Sequence, residues 1–275
     1  MLYPVLILCR VMKVTRSGYY TYRNYRASEK EVELANQVKE MFLENRRRYG
    51  SRRITKALQA KGIEIGRGKV RRLLKSQGLE AIKPKSFKPK TTTSNNQLAS
   101  PNLLKDEANK EVTPKTVIIG DITYVPLQTG KFCYLAIWQD KFTRRIVGWK
   151  VSNSMTEGLV IEALEKAIKG GFISKNAIIH TDRGSQYSSN NFRKLLNKHE
   201  LRQSMSGKGN CYDNAQAESF FARYKTEVLE KGMFEDIGQT RSETFSYIEG
   251  YYNRTRLHSS LGMSPLEFEK MLQNK

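Results

Sequence analysis

The sequence predicts an α/β fold: a mixed five-stranded sheet flanked by helices, preceded by a small, basic, all-α domain. Three observations carry this. Apolar residues recur at helical spacing from residue 28 to residue 78, and the periodicity switches toward strands from Thr116. Positive charge is front-loaded, with 23 Lys/Arg against 7 Asp/Glu in residues 1–100 and 25 against 20 in residues 101–275. Residues 83–115, rich in Lys, Pro, Thr and Asn, hold little that packs and divide the two regions.

The bulk numbers bound the function classes. In 275 residues, 39% apolar and 10% aromatic content suffices for a real core, and a net charge of +21 attracts polyanions. Cys9, Cys133 and Cys211 are odd in number and form no CxxC pair, which argues against a disulfide framework or a zinc site and for a reducing cytosol. The apolar run Leu2–Cys9 is too short to span a bilayer, so no membrane partner is expected.

Residues 1–27 form an entry segment, an apolar helical stub followed by a tyrosine-rich exit. Residues 28–82 form the helical domain. Ser28 and Glu31 have capping-box spacing and launch a helix to Asn45 with Leu34, Val38, Met41 and Phe42 on one face. Ser51 caps a second helix carrying Ile54, Ala57 and Leu58 and closed by Gly62. A third, Arg67 to Gln77, buries Val70, Leu73 and Leu74 and displays Arg67, Lys69, Arg71, Arg72 and Lys75. Two short helices about a tight turn, the second studded with arginine, read as a helix-turn-helix on DNA. A merely solvated face normally mixes charge signs, and this one does not.

Residues 83–115 read as an extended basic linker whose lysines track phosphate. In residues 116–275 the expected strands are Val117–Pro126, Phe132–Asp140, Arg145–Val151, Ala177–His180 and Leu201–Ser204. Helices are expected at Thr156–Lys169 and Asn191–Lys198, around Glu218, and over 240–254 and 264–272. Three antiparallel strands, then helix, strand, helix, strand and a closing helix match the ribonuclease H-like order.

That order gives three carboxylates a meaning. Asp121 lies on the first strand, Asp182 just beyond the neighbouring fourth strand, and Glu218 on the helix that crosses beside them. Phosphodiester chemistry at neutral pH needs an activated oxygen nucleophile and a stabilised leaving oxygen, which two Mg2+ ions about 3.5–4 Å apart supply. Hard cations need only a few carboxylates besides water and substrate phosphate. Lys225 follows Glu218 by two turns on the same helical face. Glu227, on a different face, is expected in solvent, and His180 is expected to be a strand-end residue rather than a ligand.

Gly120-Asp121-Ile122-Thr123-Tyr124, His180-Thr181-Asp182-Arg183-Gly184-Ser185-Gln186-Tyr187 and Tyr212-Asp213-Asn214-Ala215-Gln216-Ala217-Glu218-Ser219-Phe220-Phe221 resemble the motifs of DDE-type insertion-sequence transposases of the retroviral-integrase superfamily, specifically the OrfB product of the two-reading-frame branch. Tyr252-Asn253-Arg254 with Arg256, His258, Leu261, Gly262 and Pro265 resembles that branch's carboxy-terminal signature. Tyr49-Gly50-Ser51-Arg52-Arg53-Ile54 resembles its helix-turn-helix segment. One departure is Ile118, where the family often has Trp.

The resemblance implies a transposase catalytic subunit with Asp121, Asp182 and Glu218 as catalytic metal ligands. Mg2+ is the implied cofactor, two ions with Mn2+ as a substitute. Lys225 would touch the terminal DNA phosphates, with Lys208, Asn210 and Asn214 as further DNA contacts. The implied partners are double-stranded DNA (element ends and target), an upstream-frame OrfA product or fusion, and further copies of the chain on DNA. A prokaryotic cytoplasm, at the nucleoid when DNA-bound, is the implied location. Two alternatives remain at this point: a metal-dependent nuclease of the same fold that cuts without joining, and a non-catalytic DNA-binding regulator using residues 28–78.

Overall fold

The computed structural model describes residues 3–24, 28–82, 100–106, 112–207, 214–229 and 233–274. The chain forms two units, Met1–Ile82 and Lys83–Lys275.

The first unit is helical: α1 (Val5–Val11), α2 (Arg16–Asn24), α3 (Glu29–Glu44), α4 (Ser51–Ala60) and α5 (Arg67–Ser76). Val38, Phe42, Ile54, Leu58 and Val70 are its most deeply buried apolar side chains among the described residues, each at most 1% exposed. Gly62 and Gly78 close α4 and α5 at φ +80° and +65°, the left-handed region where a side chain is strained.

Two capping details differ from expectation. Ser28 Oγ accepts from Glu31 N at 3.3 Å, but the Glu31 carboxylate does not complete the reciprocal box; it pairs with Lys69 on α5. A tertiary ion pair with an opposite charge wins over a local bond to a neutral N–H. Gly50, not Ser51, is the N-cap of α4, and the Ser51 hydroxyl is left to accept from Arg67 Nε at 3.5 Å.

The second unit is built on β1 (Val117–Pro126), β2 (Phe132–Asp140), β3 (Ile146–Ser152), β4 (Ile178–Thr181) and β5 (Arg202–Met205), in the order β3-β2-β1-β4-β5. The first three are antiparallel neighbours, while β4 runs parallel to β1 and β5 parallel to β4. This is the ribonuclease H-like sheet, and its strand limits fall within a residue of the sequence reading. The chain before it pairs with β5. Leu103 N, opening the single turn α6 (Leu103–Asp106), donates to Ser204 Oγ at 3.0 Å, and Met205 N donates to Pro101 O at 3.3 Å. Residues 83–99 and 107–111 of the expected linker lie outside the described residues.

Alternation along β1 sorts the core into two layers. Ile118 and Ile122 face α7 (Glu157–Lys169), the short α8 (Ser185–Ser188) and α9 (Asn190–Lys198); Ile119 and Val125 face α10 (Ala215–Val228) and a π-helical stretch, Ser246–Tyr252, that continues α11 (Ile237–Phe245). The bulk missing at Ile118 arrives from the neighbouring strand. Trp138, opposite Gly120 in register, lays its indole on that glycine so closely that a Cβ there would lie 2.2 Å from Cζ3. Its Nε1 donates to Val160 O at 3.1 Å.

The carboxy-terminal signature secures the outer edge. The Asn253 amide accepts from Ile146 N and donates to Ile146 O, both at 3.0 Å, acting as one residue of a sixth strand. α12 (Pro265–Gln273) then starts with a complete Ser264–Glu267 capping box.

Candidate active site

Parallel pairing of Ile119 with His180 sets Asp121 and Asp182, two residues further along each chain, side by side where β4 ends. Asp121 is partly buried, and its Oδ1 accepts from its neighbour's amide, Ile122 N, at 2.8 Å. Asp182 Oδ1 accepts from Gly184 N at 2.9 Å, a turn that holds the carboxylate at the strand end. α10 packs on β1 and brings Glu218 in its first turn, exposed, and Lys225 two turns later. The Lys225 ammonium rests 4.5 Å from the centroid of the Tyr124 ring, a cation–π contact from the strand that carries Asp121.

The electrostatics tie these groups into one locus. The Asp121 carboxyl is pushed from its ordinary 3.8 up to about 8, first by loss of solvent and then by the Asp182 charge; the Ile122 N–H opposes this, Glu218 adds to it and Lys225 opposes it. Burial raises Asp182 against the pull of Gly184 N–H. Burial lowers Lys225 against the pull of Asp121. A carboxyl raised by burial and by two further carboxylates, with one ammonium nearby, marks a site that favours added positive charge.

Among the described residues, no three His, Cys, Asp or Glu side chains are gathered closely enough to enclose a metal ion.

The sign of the Asp121 displacement gives a measurable consequence. A carboxyl with a folded value above its unfolded one favours the fold fully below the unfolded value and loses that contribution as pH rises through the folded one. In EDTA, Tm is therefore expected to fall between about pH 4 and pH 8, by roughly 5 °C if about 2 kcal/mol of the displacement survives screening at this partly exposed group. Asp121→Asn should flatten that part of a Tm-against-pH curve; an unchanged slope in the variant would assign the effect to other groups.

The remaining expectations have varied outcomes, and His180 is on its strand as expected. His180 is wholly buried, with Nδ1 2.8 Å from Ser204 Oγ on β5, inside the sheet. Asn214 is buried at the N-cap of α10 without making the cap bond, and its Oδ1 has no partner among the described residues. Lys208 and Asn210 lie outside the described residues. On α5, Arg67, Arg71, Arg72 and Lys75 are exposed, whereas Lys69 is half-buried in its ion pair with Glu31.

Glu227 is a correction. It is 7% exposed, not in solvent, because Arg256 reaches it from the carboxy-terminal signature with Nη2–Oε1 at 2.7 Å. Sequence reasoning also passed over Tyr124, whose ring carries the Lys225 ammonium; its place in the quoted motif was the available signal.

The chain matches the HTH-like domain model over residues 29–87 and integrase core domain models over residues 111–211 and 218–272. It is 37% identical over 273 residues to transposase InsF for insertion sequence IS3A of Escherichia coli K12, covering 97% of this chain and 94% of that one. The chain belongs to the IS3-family transposases.

The transposase for insertion sequence element IS904 of Lactococcus lactis is 39% identical over 253 residues, 89% of this chain and 98% of its own. Among solved structures, a chain of the simian T-cell lymphotropic virus intasome is similar over 77% of this transposase and 69% of its own length, with a TM-score of 0.49 and 16% identity. This IS3-family chain is therefore a DDE-type enzyme of DNA transposition that binds DNA, with an HTH-like domain ahead of its integrase core. No helix among the described residues is long and apolar enough to cross a membrane.

Proposed function

We propose that Asp121, Asp182 and Glu218 are the catalytic carboxylates of this transposase and hold two Mg2+ ions, for which Mn2+ substitutes. The supporting observation is the Asp121 carboxyl, pushed to about 8 with Asp182 and Glu218 both acting on it. Carboxylate oxygens suit a hard cation that keeps waters and takes its remaining ligands from substrate phosphate. Bound there, the ions supply Lewis acidity to the attacking and leaving oxygens.

The residues do the rest. Lys225, braced on Tyr124, takes the phosphate at the element end and sets the scissile bond over the carboxylates. Water attacks that phosphorus, the P–O3′ bond breaks, and the element end is left with a free 3′-hydroxyl. That hydroxyl then attacks a second phosphodiester in line, forming one P–O3′ bond as another breaks. No covalent protein–DNA intermediate arises. Asn214 and the neighbouring Lys208 and Asn210 contact the strand end.

Arg67, Arg71, Arg72 and Lys75 contact the duplex from α5, while Lys69, engaged by Glu31, contributes through its field. The upstream-frame OrfA product, as partner or fusion, adds end recognition, and copies of the chain assemble on the two ends and the target at the nucleoid.

Strand transfer with pre-cut element ends tests this reading. Joined products are expected with Mg2+ or Mn2+ and none in EDTA. Nicks without joined products would instead make the chain a nuclease of the same fold.

A further inference from the structure

Tyr187, in α8, is 2% exposed, and its hydroxyl has no hydrogen-bond partner among the described residues. Its ring is locked. It meets Trp138 edge-on at 5.9 Å and Phe192 at 5.7 Å between centroids. A phenylalanine would make all of these contacts. The buried oxygen forfeits hydration without a return bond, an omission that costs on the order of 1–3 kcal/mol and calls for a reason.

The reason lies across Gly184. A Cβ on that glycine would stand 3.0 Å from Asp182 Oδ1, 3.0 Å from Gln186 Oε1 and 3.4 Å from Tyr187 Cδ2, so the carboxylate and the edge of the ring border the same small space. The charges that act on the phenol are those of Asp182 and, more weakly, Asp121; with burial they raise it well above its ordinary range. A phenol donates and a carboxylate accepts. Asp182 Oδ1 already takes Gly184 N–H, which leaves Oδ2 as the acceptor.

We propose that Tyr187 is a positioning residue: its hydroxyl donates to the Asp182 carboxylate when a divalent cation occupies the site, fixing the rotamer in which Asp182 binds. The ring is held by Trp138 and Phe192, so the bond forms by the carboxylate turning to the phenol. Partners of this kind behind a ligand typically set metal affinity by 10–100-fold. The inference rests on the reading of Asp121 and Asp182 as a cation site.

The test is Mn2+ binding to the full chain by calorimetry, with Tm recorded with and without Mn2+, for the parent, Tyr187→Phe and Asp182→Asn. Tyr187→Phe is expected to keep or raise the metal-free Tm, since an unpaired hydroxyl is removed, while Mn2+ affinity falls about tenfold and DNA binding is unchanged. Parental Mn2+ affinity in Tyr187→Phe overturns the proposal. So does a metal-free Tyr187→Phe that is destabilised or fails to fold, because the hydroxyl would then serve packing. If Asp182→Asn also binds Mn2+ like the parent, the cation-site reading falls with it; if Asp182→Asn loses binding and Tyr187→Phe does not, only the role of Tyr187 is lost.

Discussion

Asp121→Asn and Asp182→Asn are each expected to abolish end cleavage and strand transfer, by about a thousandfold or more, while DNA binding persists. Stabilising developing charge with a metal is worth several kcal/mol, and each 1.36 kcal/mol is a factor of ten in rate. The amide keeps the shape and part of the hydrogen bonding of the carboxylate but removes the charge that a cation needs. Stability should move the other way. Asp121 carries a carboxyl held near 8 by burial and by Asp182 and Glu218, so the neutral amide relieves a repulsion that the cation-free fold sustains. An inactive variant at least as stable as its parent in EDTA, and no longer stabilised by Mg2+, is the signature of a side chain kept for chemistry. Loss of activity together with loss of cation-free stability would instead mark Asp121 as a packing residue. Asp140 supplies the contrast. It is also a buried carboxyl raised by burial, but three backbone amides, Lys115 N, Phe142 N and Thr143 N, donate to it at 2.7, 2.7 and 3.1 Å. Asp140→Asn should cost stability, as expected of a residue that closes the β2–β3 turn.

The strands and the places of Asp121 and Asp182 were legible in the sequence because short apolar runs, and an Asp following such a run, are local signals. β1 alternates between two apolar layers, and that alternation places Asp121 on the α10 side. Contacts made across long stretches of chain were not legible. Glu31 was read as half of a capping box because nothing local announces Lys69, 38 residues on. Ser51 was read as a cap by residue type, although Gly50 holds the extended backbone that starts the helix. Glu227 fell on what an isolated helix would leave in solvent; the surface covering it comes from Tyr247 and Arg256, the latter 29 residues later. The signature Tyr252-Asn253-Arg254 with Arg256 was recognised as a pattern, but its physical content appears only in the fold: Asn253 completes the β3 edge and Arg256 anchors the helix of Glu218.

That anchor carries the second large expected effect. Glu227 Oε1 receives Arg256 Nη2 at 2.7 Å, and Oε2 receives Arg256 Nε at 3.0 Å and the Tyr247 hydroxyl at 2.9 Å. Both charges are buried, at 1% exposure for the guanidinium and 7% for the carboxylate. Burial opposes the Arg256 charge, and Glu227, by hydrogen bond and by charge, more than offsets it. Arg256→Met strands the carboxylate and should cost roughly 3–5 kcal/mol, read as a lower urea midpoint at unchanged slope. Glu227→Gln keeps acceptor and shape but leaves the guanidinium's charge unanswered, so it should also destabilise. The double variant Glu227→Leu with Arg256→Met should recover most of the loss, because an apolar pair in place of a buried ion pair is often neutral. The recovered stability decides what the pair is for. α10 is also held by Phe220 and Tyr224, which pack against Tyr247 and Tyr252, so Glu218 and Lys225 keep their place without the ion pair. Strand transfer should therefore return with stability in the double variant. A double variant that regains the parental midpoint but stays inactive would show that the ion pair sets the angle of α10, and with it the approach of Glu218 to Asp121, beyond what packing alone secures.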